Sequence, residues 1–175
     1  MGGRVLSFRA CVYGGHRIMK EFPLLFCFKN VVMGDGYIGG VLMQGRALLV
    51  HEDEDLWMMY GVNPGGMAAE GATKEEVMAE FRITHELILN DIAAECKTFK
   101  AFQEKIEQFF HQVSDEAAWF EALEEVRRTD EADNWDVSLD ADKARWSVHV
   151  EKLTQQTAAA RKNPDPREQR LKLAA

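Results

Sequence analysis

The sequence predicts an α+β fold: a small antiparallel sheet of three to four strands, covered by a long helix and followed by two further helices and a late strand or hairpin. Two observations predict this class. Short runs of aromatic and apolar residues, typical of strands, surround a proline-glycine turn. Directly after them, a capping sequence opens a long stretch with helical periodicity.

The turn at the centre of this unit reads Asn63-Pro64-Gly65-Gly66. Pro64 fixes φ at the second turn position, and Gly65 can supply the positive φ of a type II turn. The run that precedes the turn, 56–62, is short and rich in aromatic and apolar residues, so it is predicted to be a strand.

The first helix begins just beyond the turn. A brief extended piece ends at Gly71, and Thr73 then stands three residues before Glu76, as in a capping box. Helical spacing continues to about residue 96. The predicted buried stripe consists of apolar residues three and four positions apart, namely Val77, Phe81, Ile88 and Ile92, with Met78 and Leu89 at its margins.

This segment resembles HicB-like antitoxins, in which a Pro-Gly turn leads, five residues later, to a Gly-Asp-Thr-x-Glu-Glu-Ala helix start. Gly66 and Gly71 keep that spacing, and Thr73, Glu75 and Glu76 fall on matching positions. Two departures are Ala72, where an Asp is usual, and residues 63–65, which replace an Asp-Leu-Pro-like run. The resemblance spans residues 41–94, about a third of the chain, and implies a β-β-β-α unit.

The predicted organisation has four parts. Residues 1–30 are an N-terminal extension, 31–113 are the HicB-like core with its following helix, 114–153 are a helix and a C-terminal strand or hairpin, and 154–175 are a mobile basic tail. For the extension two alternatives stay open: an added strand at 24–28, or upstream sequence that does not fold with the rest.

Within the core, the run from 37 to 51 is predicted to be one bent strand or two, with Gly39, Gly40 and Gly45 at bulges or turns. A second helix is predicted from the N-cap Thr98 to about 113, and a third, capped by Ser114, from 115 to 128. Their predicted buried residues are Phe102, Ile106, Phe109 and Phe110 in the second helix, and Trp119, Phe120, Leu123 and Val126 in the third. Two alternating runs, 135–139 and 146–150, predict strands joined by a turn at 140–143, and the resemblance favours a return of the second run to the edge of the sheet.

The charge of the chain is unevenly distributed. The formal net charge is −8, and it arises from +4 in residues 1–31, −15 in 32–153 and +3 in 154–175. An acidic body repels nucleic acid and favours a basic protein partner, so any contact with nucleic acid would come from the basic tails.

Cysteine usage and hydropathy indicate a cytoplasmic protein. No apolar run approaches the roughly 18 residues of a membrane span, so we predict no membrane contact. The three cysteines, Cys11, Cys27 and Cys96, are widely spaced and lack a CxxC pattern, which suits free thiols in a reducing compartment.

The search for catalytic motifs is negative. The sequence has no phosphate-binding loop, no GxSxG elbow and no histidine spacing of a metal site, so we predict no catalytic residue, no metal and no cofactor. His85 lies on the stripe of the first helix and is predicted to be a boundary or hydrogen-bonded core residue, with a functional role as the alternative. The His85-Glu86 pair does not continue into HExxH, because position 89 is leucine.

Four consecutive acids, Glu52, Asp53, Glu54 and Asp55, are predicted to form a solvated hairpin turn between antiparallel strands. A metal site is not expected there, because neighbouring side chains of a strand face opposite sides. The alternative interpretation is a binding surface for a basic partner.

Two functional hypotheses follow. The first is a non-catalytic protein-binding module: the resemblance implies that the chain embraces a small basic, toxin-like protein, through the four acids with Trp57 and Tyr60 as aromatic anchors. The second is a small enzyme or ligand-binding protein with a pocket between sheet and helices, for which His85, Trp57 and the acidic turn are the first residues to test. An exposed edge strand would favour a homodimer formed by strand pairing.

Overall fold

The computed structural model describes residues 20–129, 138–139, 146–155 and 170–174 of the 175-residue chain. The elements, in chain order, are β1 (Lys20–Gly34), β2 (Tyr37–Asp53), β3 (Leu56–Asn63), β4 (Ala68–Gly71), α1 (Lys74–Glu95), α2 (Phe99–Phe110), α3 (Glu116–Thr129), β5 (Ser138–Leu139), β6 (Ser147–Lys152) and β7 (Arg170–Ala174). The predicted α+β class is confirmed, with a largely antiparallel sheet, three helices and a late strand. None of the described helices is both long and apolar enough to cross a membrane.

The sheet is wider than predicted. Its order is β4-β3-β2-β1-β7-β5, and β6 pairs with β2 beside this path. All described pairs are antiparallel except β5 with β7, which is parallel. One edge of β2 pairs with β1. The other edge pairs with β3 along residues 46–53 of β2 and with β6 along residues 39–44. The predicted return of the late strand to the first sheet is therefore confirmed.

β1 decides between the two alternatives for the N-terminal extension, as far as the extension is described. Residues 20–34 pair with β2 without interruption, from Lys20 opposite His51 to Gly34 opposite Tyr37. The strand thus extends well beyond the predicted 24–28. Residues 1–19 lie outside the described part of the chain.

The two faces of the sheet pack against different helices. Phe22, Leu24, Phe26 and Phe28 of β1 join a large core cluster that includes Phe81 and Leu89 of α1 and Phe102 and Ile106 of α2. On the opposite face, Leu25, Leu48, Val50 and Val62 pack with Trp119, Ala122 and Leu123 of α3. This division follows from the alternation of side chains along a strand. Cover of the sheet by one long helix is not confirmed, because α2 packs beside α1 and α3 lies on the other face.

The buried stripes of the helices differ in part from prediction. In α2 all four predicted residues are buried. In α1 the deeply buried positions after Phe81 are His85, Leu89 and Ala93, whereas Ile88 and Ile92 are only partly buried. The prediction for Phe120 of α3 is wrong: its side chain is 49% exposed, beside the fully buried Trp119.

The central turn differs from the predicted type II turn. The Asn63-Pro64 peptide bond is cis, and Gly66, not Gly65, carries the positive φ of 76°. The turn is held by the end of α2 and by the connection that follows it: the Asn63 side-chain amide donates to the Phe110 carbonyl at 2.6 Å, and the Gly65 N–H donates to the Gln112 carbonyl at 2.7 Å.

Ser114 has another role than the predicted cap of α3. Its hydroxyl donates to the Gly61 carbonyl at 2.9 Å and its N–H donates to the Val62 carbonyl at 3.0 Å. The helix itself begins at Glu116, after Asp115 in the left-handed region with a φ of 51°. Ser114 therefore fixes β3 against the connection between the helices.

The glycines of β2 do not interrupt its pairing with β1, contrary to the predicted bulges or turns. The register shift nearest to them lies in the β2–β3 pairing, between Arg46 and Ala47. Gly45 is required by close approach, because a Cβ there would stand 2.2 Å from the Asn63 carbonyl oxygen and 2.5 Å from the Phe26 ring.

The C-terminal third is only partly described. β5 pairs with β7 instead of forming the predicted hairpin with β6. Residues 170–174, predicted to belong to a mobile tail, form β7 beside β1. The remaining predictions at 135–137, 140–143 and 156–169 fall outside the described residues.

The predicted capping box at α1 is confirmed and gives a first testable result. The Thr73 hydroxyl accepts from the Glu76 N–H at 3.2 Å, and the Glu76 carboxylate accepts from the Ala72 N–H at 3.0 Å. Thr73→Ala should lower the free energy of unfolding by about 1 kcal/mol, because one N–H of the first turn loses its partner. Urea unfolding measures this. Thr84→Ala inside the helix should change the stability by less than about 0.5 kcal/mol, and an equal loss in both variants would contradict the capping role.

Candidate partner-binding surface

The four consecutive acids form the predicted hairpin connection. β2 ends at Asp53, Glu54 and Asp55 make the turn, and β3 starts at Leu56. The side chain of Asp53 accepts from the Glu54 N–H at 2.9 Å, and residues 53–55 are exposed. The turn therefore presents three carboxylates to solvent, and Glu52 is half-buried behind them.

Trp57 lies on the α1 side of the hairpin. Its indole stacks on the imidazole of His51, with ring centroids 4.1 Å apart and planes 16° apart, and lies 6.2 Å from the Phe22 ring. His51 and Trp57 are directly opposite each other in the β2–β3 pairing. Both are half-buried, so the stacked pair gives a flat aromatic surface beside the acidic turn.

Tyr60 lies on the opposite face of the sheet, where its hydroxyl is 3.5 Å from a carboxylate oxygen of Glu52. Burial, and then the nearby carboxylates of Glu52 and Asp115, raise the pKa of the Tyr60 phenol. The six predicted contact residues therefore do not share one face. Trp57 and Tyr60 lie on opposite sides of the sheet, and the turn between β2 and β3 joins them.

The register of the sheet brings further acids to the same end. Lys20 is opposite His51, Trp57 is opposite Gly71, and α1 begins immediately after β4. We call residues 20–21, 51–57 and 70–76 the acidic end of the sheet. Its eight acidic side chains, against two lysines, are Glu21, Glu52, Asp53, Glu54, Asp55, Glu70, Glu75 and Glu76. Sequence reasoning had found only four of them, because the others join through strand pairing.

The acidic character extends toward α3. Burial raises the pKa of the Glu21 carboxyl, and the nearby Glu121 carboxylate raises it further. Two carboxylates from distant parts of the sequence thus repel each other at the junction of β1 and α3.

The residues predicted as turn and cap have structural roles. Pro64, Gly65 and Gly66 make the turn that contacts the α2–α3 connection. Gly71 ends β4, and Thr73 and Glu76 cap α1. These residues position α1 at the acidic end of the sheet.

His85 is a buried core residue, one of the two structural roles predicted for it. It is fully buried, its Nε2 lies 3.3 Å from Met43 Sδ, and its ring contacts the rings of Phe26 and Phe28. Its Nδ1 has no hydrogen-bond partner within the described structure. Burial lowers the pKa of His85 from 6.5 to about 4, so the imidazole is neutral at pH 7.

Arg46 is a buried charge that sequence reasoning missed. Its guanidinium donates to Glu116 at 2.5 Å and lies 4.5 Å from the Trp146 ring centroid and 5.4 Å from that of Trp119. The sequence signal that could have indicated its burial is the position of this arginine at the start of the apolar run of β2, two residues before Leu48 and thus on the same face of the sheet. These contacts join β2, α3 and the start of β6, and they give Arg46 a structural role.

Two cavities among the described residues lie away from the residues of the ligand-pocket alternative. A cavity of about 410 Å³ lies beside Tyr37 and Lys152, and one of about 760 Å³ lies along α3 beside Phe120. Neither is lined by His85, Trp57 or the acidic turn. Among the described residues, no group of three or more His, Cys, Asp or Glu side chains could hold a metal ion.

Comparison of the chain with protein-family models, curated proteins and solved structures finds no match.

Proposed function

We propose that the chain is a non-catalytic protein-binding module, similar in role to a HicB-like antitoxin, and that the acidic end of the sheet holds a small basic protein. The observation that carries the proposal is the register that joins the acidic turn, the β4 edge and the first turn of α1 into one surface. The resemblance of residues 41–94 to HicB-like antitoxins suggests the class of partner.

Electrostatics favours a basic partner at this surface. Eight carboxylates and two ammonium groups leave a strong negative potential, and the exposed turn places part of it where a partner meets it first. Complementary charges of this kind raise association rates and exclude acidic partners. Because exposed charges are screened over about 10 Å at 0.1 M salt, the binding should weaken as ionic strength rises.

Aromatic residues supply the apolar part of the contact. The His51–Trp57 pair is half-buried and already stacked, so a partner can cover it with little loss of side-chain freedom. On the opposite face, Tyr60 is held beside Glu52 and offers a ring with a polar tip. A basic protein that wraps around the turn can contact both faces.

We also propose a cytoplasmic location, which the free thiols of the described residues support. Cys27 and Cys96, the two cysteines among the described residues, are both free, as expected in a reducing compartment.

Affinity capture from the native cell tests the proposal. The tagged full chain should retain a small basic protein in stoichiometric amount. The double variant Glu54→Lys/Asp55→Lys should retain at most about one tenth as much of this partner, because it replaces two exposed acids at the turn by cations. The control Glu104→Lys/Glu107→Lys makes the same charge change on exposed positions of α2 and should retain as much as the native chain.

Three outcomes would contradict the proposal. One is an acidic partner, and another is an equal loss of capture in the two double variants. The third is a chain that captures no protein and whose melting temperature instead rises with a small ligand, which would support the alternative of an enzyme or ligand-binding protein.

A further inference from the structure

The outer edge of β6 is a second candidate interaction surface, remote from the acidic end of the sheet. β6 pairs with β2 over six residues in one register without a bulge. No described residue pairs with its other edge. β6 also contains neither proline nor glycine. A regular edge along which no described strand pairs can accept another strand.

The direction of the backbone groups of β6 follows from one hydrogen bond. The N–H of Leu153, directly after β6, donates to the Ile38 carbonyl of β2 at 2.8 Å. In an antiparallel ladder the backbone groups of successive residues point to alternate sides. The odd-numbered residues of β6 therefore face β2, and the N–H and C=O groups of Val148, Val150 and Lys152 point outward.

We propose that β6 pairs antiparallel with β6 of a second copy of the chain, with Val150 on the two-fold axis. Val150 then lies opposite its own counterpart in a hydrogen-bonded pair, and Val148 lies opposite Lys152 of the second copy. His149 lies opposite Glu151 of the second copy, twice by symmetry. The two His149–Glu151 pairs are non-hydrogen-bonded pairs, in which Cα atoms are about 4.5 Å apart and side chains are closest.

Side-chain pairing selects this register over its two neighbours. A shift of two residues in one direction puts Glu151 opposite Glu151 of the second copy, and like charges directly opposite destabilise an antiparallel pair. A shift in the other direction puts His149 opposite His149, which leaves its ring N–H without a carboxylate acceptor across the strands. The imidazole-carboxylate pairs therefore favour the register centred on Val150.

Apolar packing would continue across the new pair. Val148 and Val150 point to the α2 side of the sheet, where they pack against the large core cluster and are only partly buried. The two copies of Val150 would meet on that face and cover each other. Because β6 lies along residues 39–44 of β2 and the acidic turn lies at 54–55, this dimer does not depend on the proposed function.

Two kinds of variant of the full chain test the dimer. Light scattering after size exclusion should give twice the chain mass for the native protein. Val150→Pro removes an outward N–H while leaving the bonds from β6 to β2, so it should raise the dimer dissociation constant at least about tenfold. Far-UV circular dichroism checks that this variant is folded.

Oxidative cross-linking tests the register even if the proline variant does not fold. Val150→Cys should form a disulfide across the axis, where Cα atoms of a hydrogen-bonded pair are about 5.5 Å apart. In Val148→Cys the two introduced cysteines of the dimer would be about four residues apart along the strands, roughly 14 Å, which is too far for a disulfide. Cross-linking of this variant should therefore not exceed that of the native chain, which has three cysteines of its own.

A monomer at the highest attainable concentration would overturn the proposal. So would a dimer that survives Val150→Pro in folded protein, since it would use another surface. Cross-linking of Val148→Cys as efficient as that of Val150→Cys would overturn the register.

Discussion

Replacing Trp119 by alanine is expected to lower the free energy of unfolding by about 3 to 5 kcal/mol. Trp119 is fully buried between α3 and the sheet, and its indole N–H donates to the Leu24 carbonyl at 3.3 Å. Its ring also lies beside the Arg46 guanidinium and the Trp146 ring. The substitution removes all of these contacts and leaves a cavity on the face that α3 covers. Urea unfolding followed by far-UV circular dichroism measures the loss.

The adjacent residue provides the control for this prediction. Phe120 is also aromatic and lies on the same helix, but it is 49% exposed. Phe120→Ala should therefore cost less than about 1 kcal/mol. Equal losses at the two positions would contradict the burial of α3 against the second face of the sheet.

Acidification should destabilise the fold through His85, and this is the second large effect. Burial lowers the pKa of His85 to about 4 from 6.5. Between these values the unfolded chain takes up a proton that the folded chain excludes. The contribution of His85 is therefore constant above about pH 6.5, and stability falls as the pH decreases toward 4. Over the whole interval the loss is about 3 kcal/mol.

A comparison of variants isolates this effect from the other titrating groups. His85→Met has no proton to bind and keeps an apolar, adaptable side chain next to Met43. Urea midpoints from pH 7.5 to 4 should fall less steeply in His85→Met than in the native chain. Parallel slopes for the native chain and His85→Met would contradict the cost of charging a buried imidazole.

The parts of the fold that sequence predicted correctly depend on local signals. Thr73 and Thr98 cap their helices as expected, because a cap needs only the three or four residues that follow it. The acidic turn between β2 and β3 and the strand predicted at 56–62, observed at Leu56–Asn63, follow from short-range composition. Each of these features is decided within a few residues.

Features that depend on distant contacts were missed. Phe120 has the spacing of a buried residue, but whether it is buried depends on which face of the sheet α3 meets. In α1 the deep positions are Leu89 and Ala93 because the helix is rotated to bring His85 against Met43. A single helical period could not fix that rotation, since apolar residues occur on several sides of α1.

The candidate surface also depends on contacts between residues that are distant in sequence. The four acids of the turn are adjacent in sequence, whereas Glu21, Glu70 and the first turn of α1 join them only through the register of β1 with β2 and β3 with β4. Trp57 and Tyr60 both follow the turn in β3, but the odd separation of three residues places them on opposite faces of the sheet. Arg46 was missed because its partners, Glu116 and Trp146, are remote in sequence.

Carboxyl footprinting tests the proposed use of the acidic end most directly. Carbodiimide-coupled labelling of the chain, alone and with its captured partner, reports the accessibility of each carboxylate. We expect the partner to protect Asp53, Glu54, Asp55 and Glu70 several-fold and to leave the labelling of the exposed acids of α2, Glu104 and Glu107, unchanged. Protection of the α2 acids with unaltered labelling of residues 53–55 would contradict the proposal.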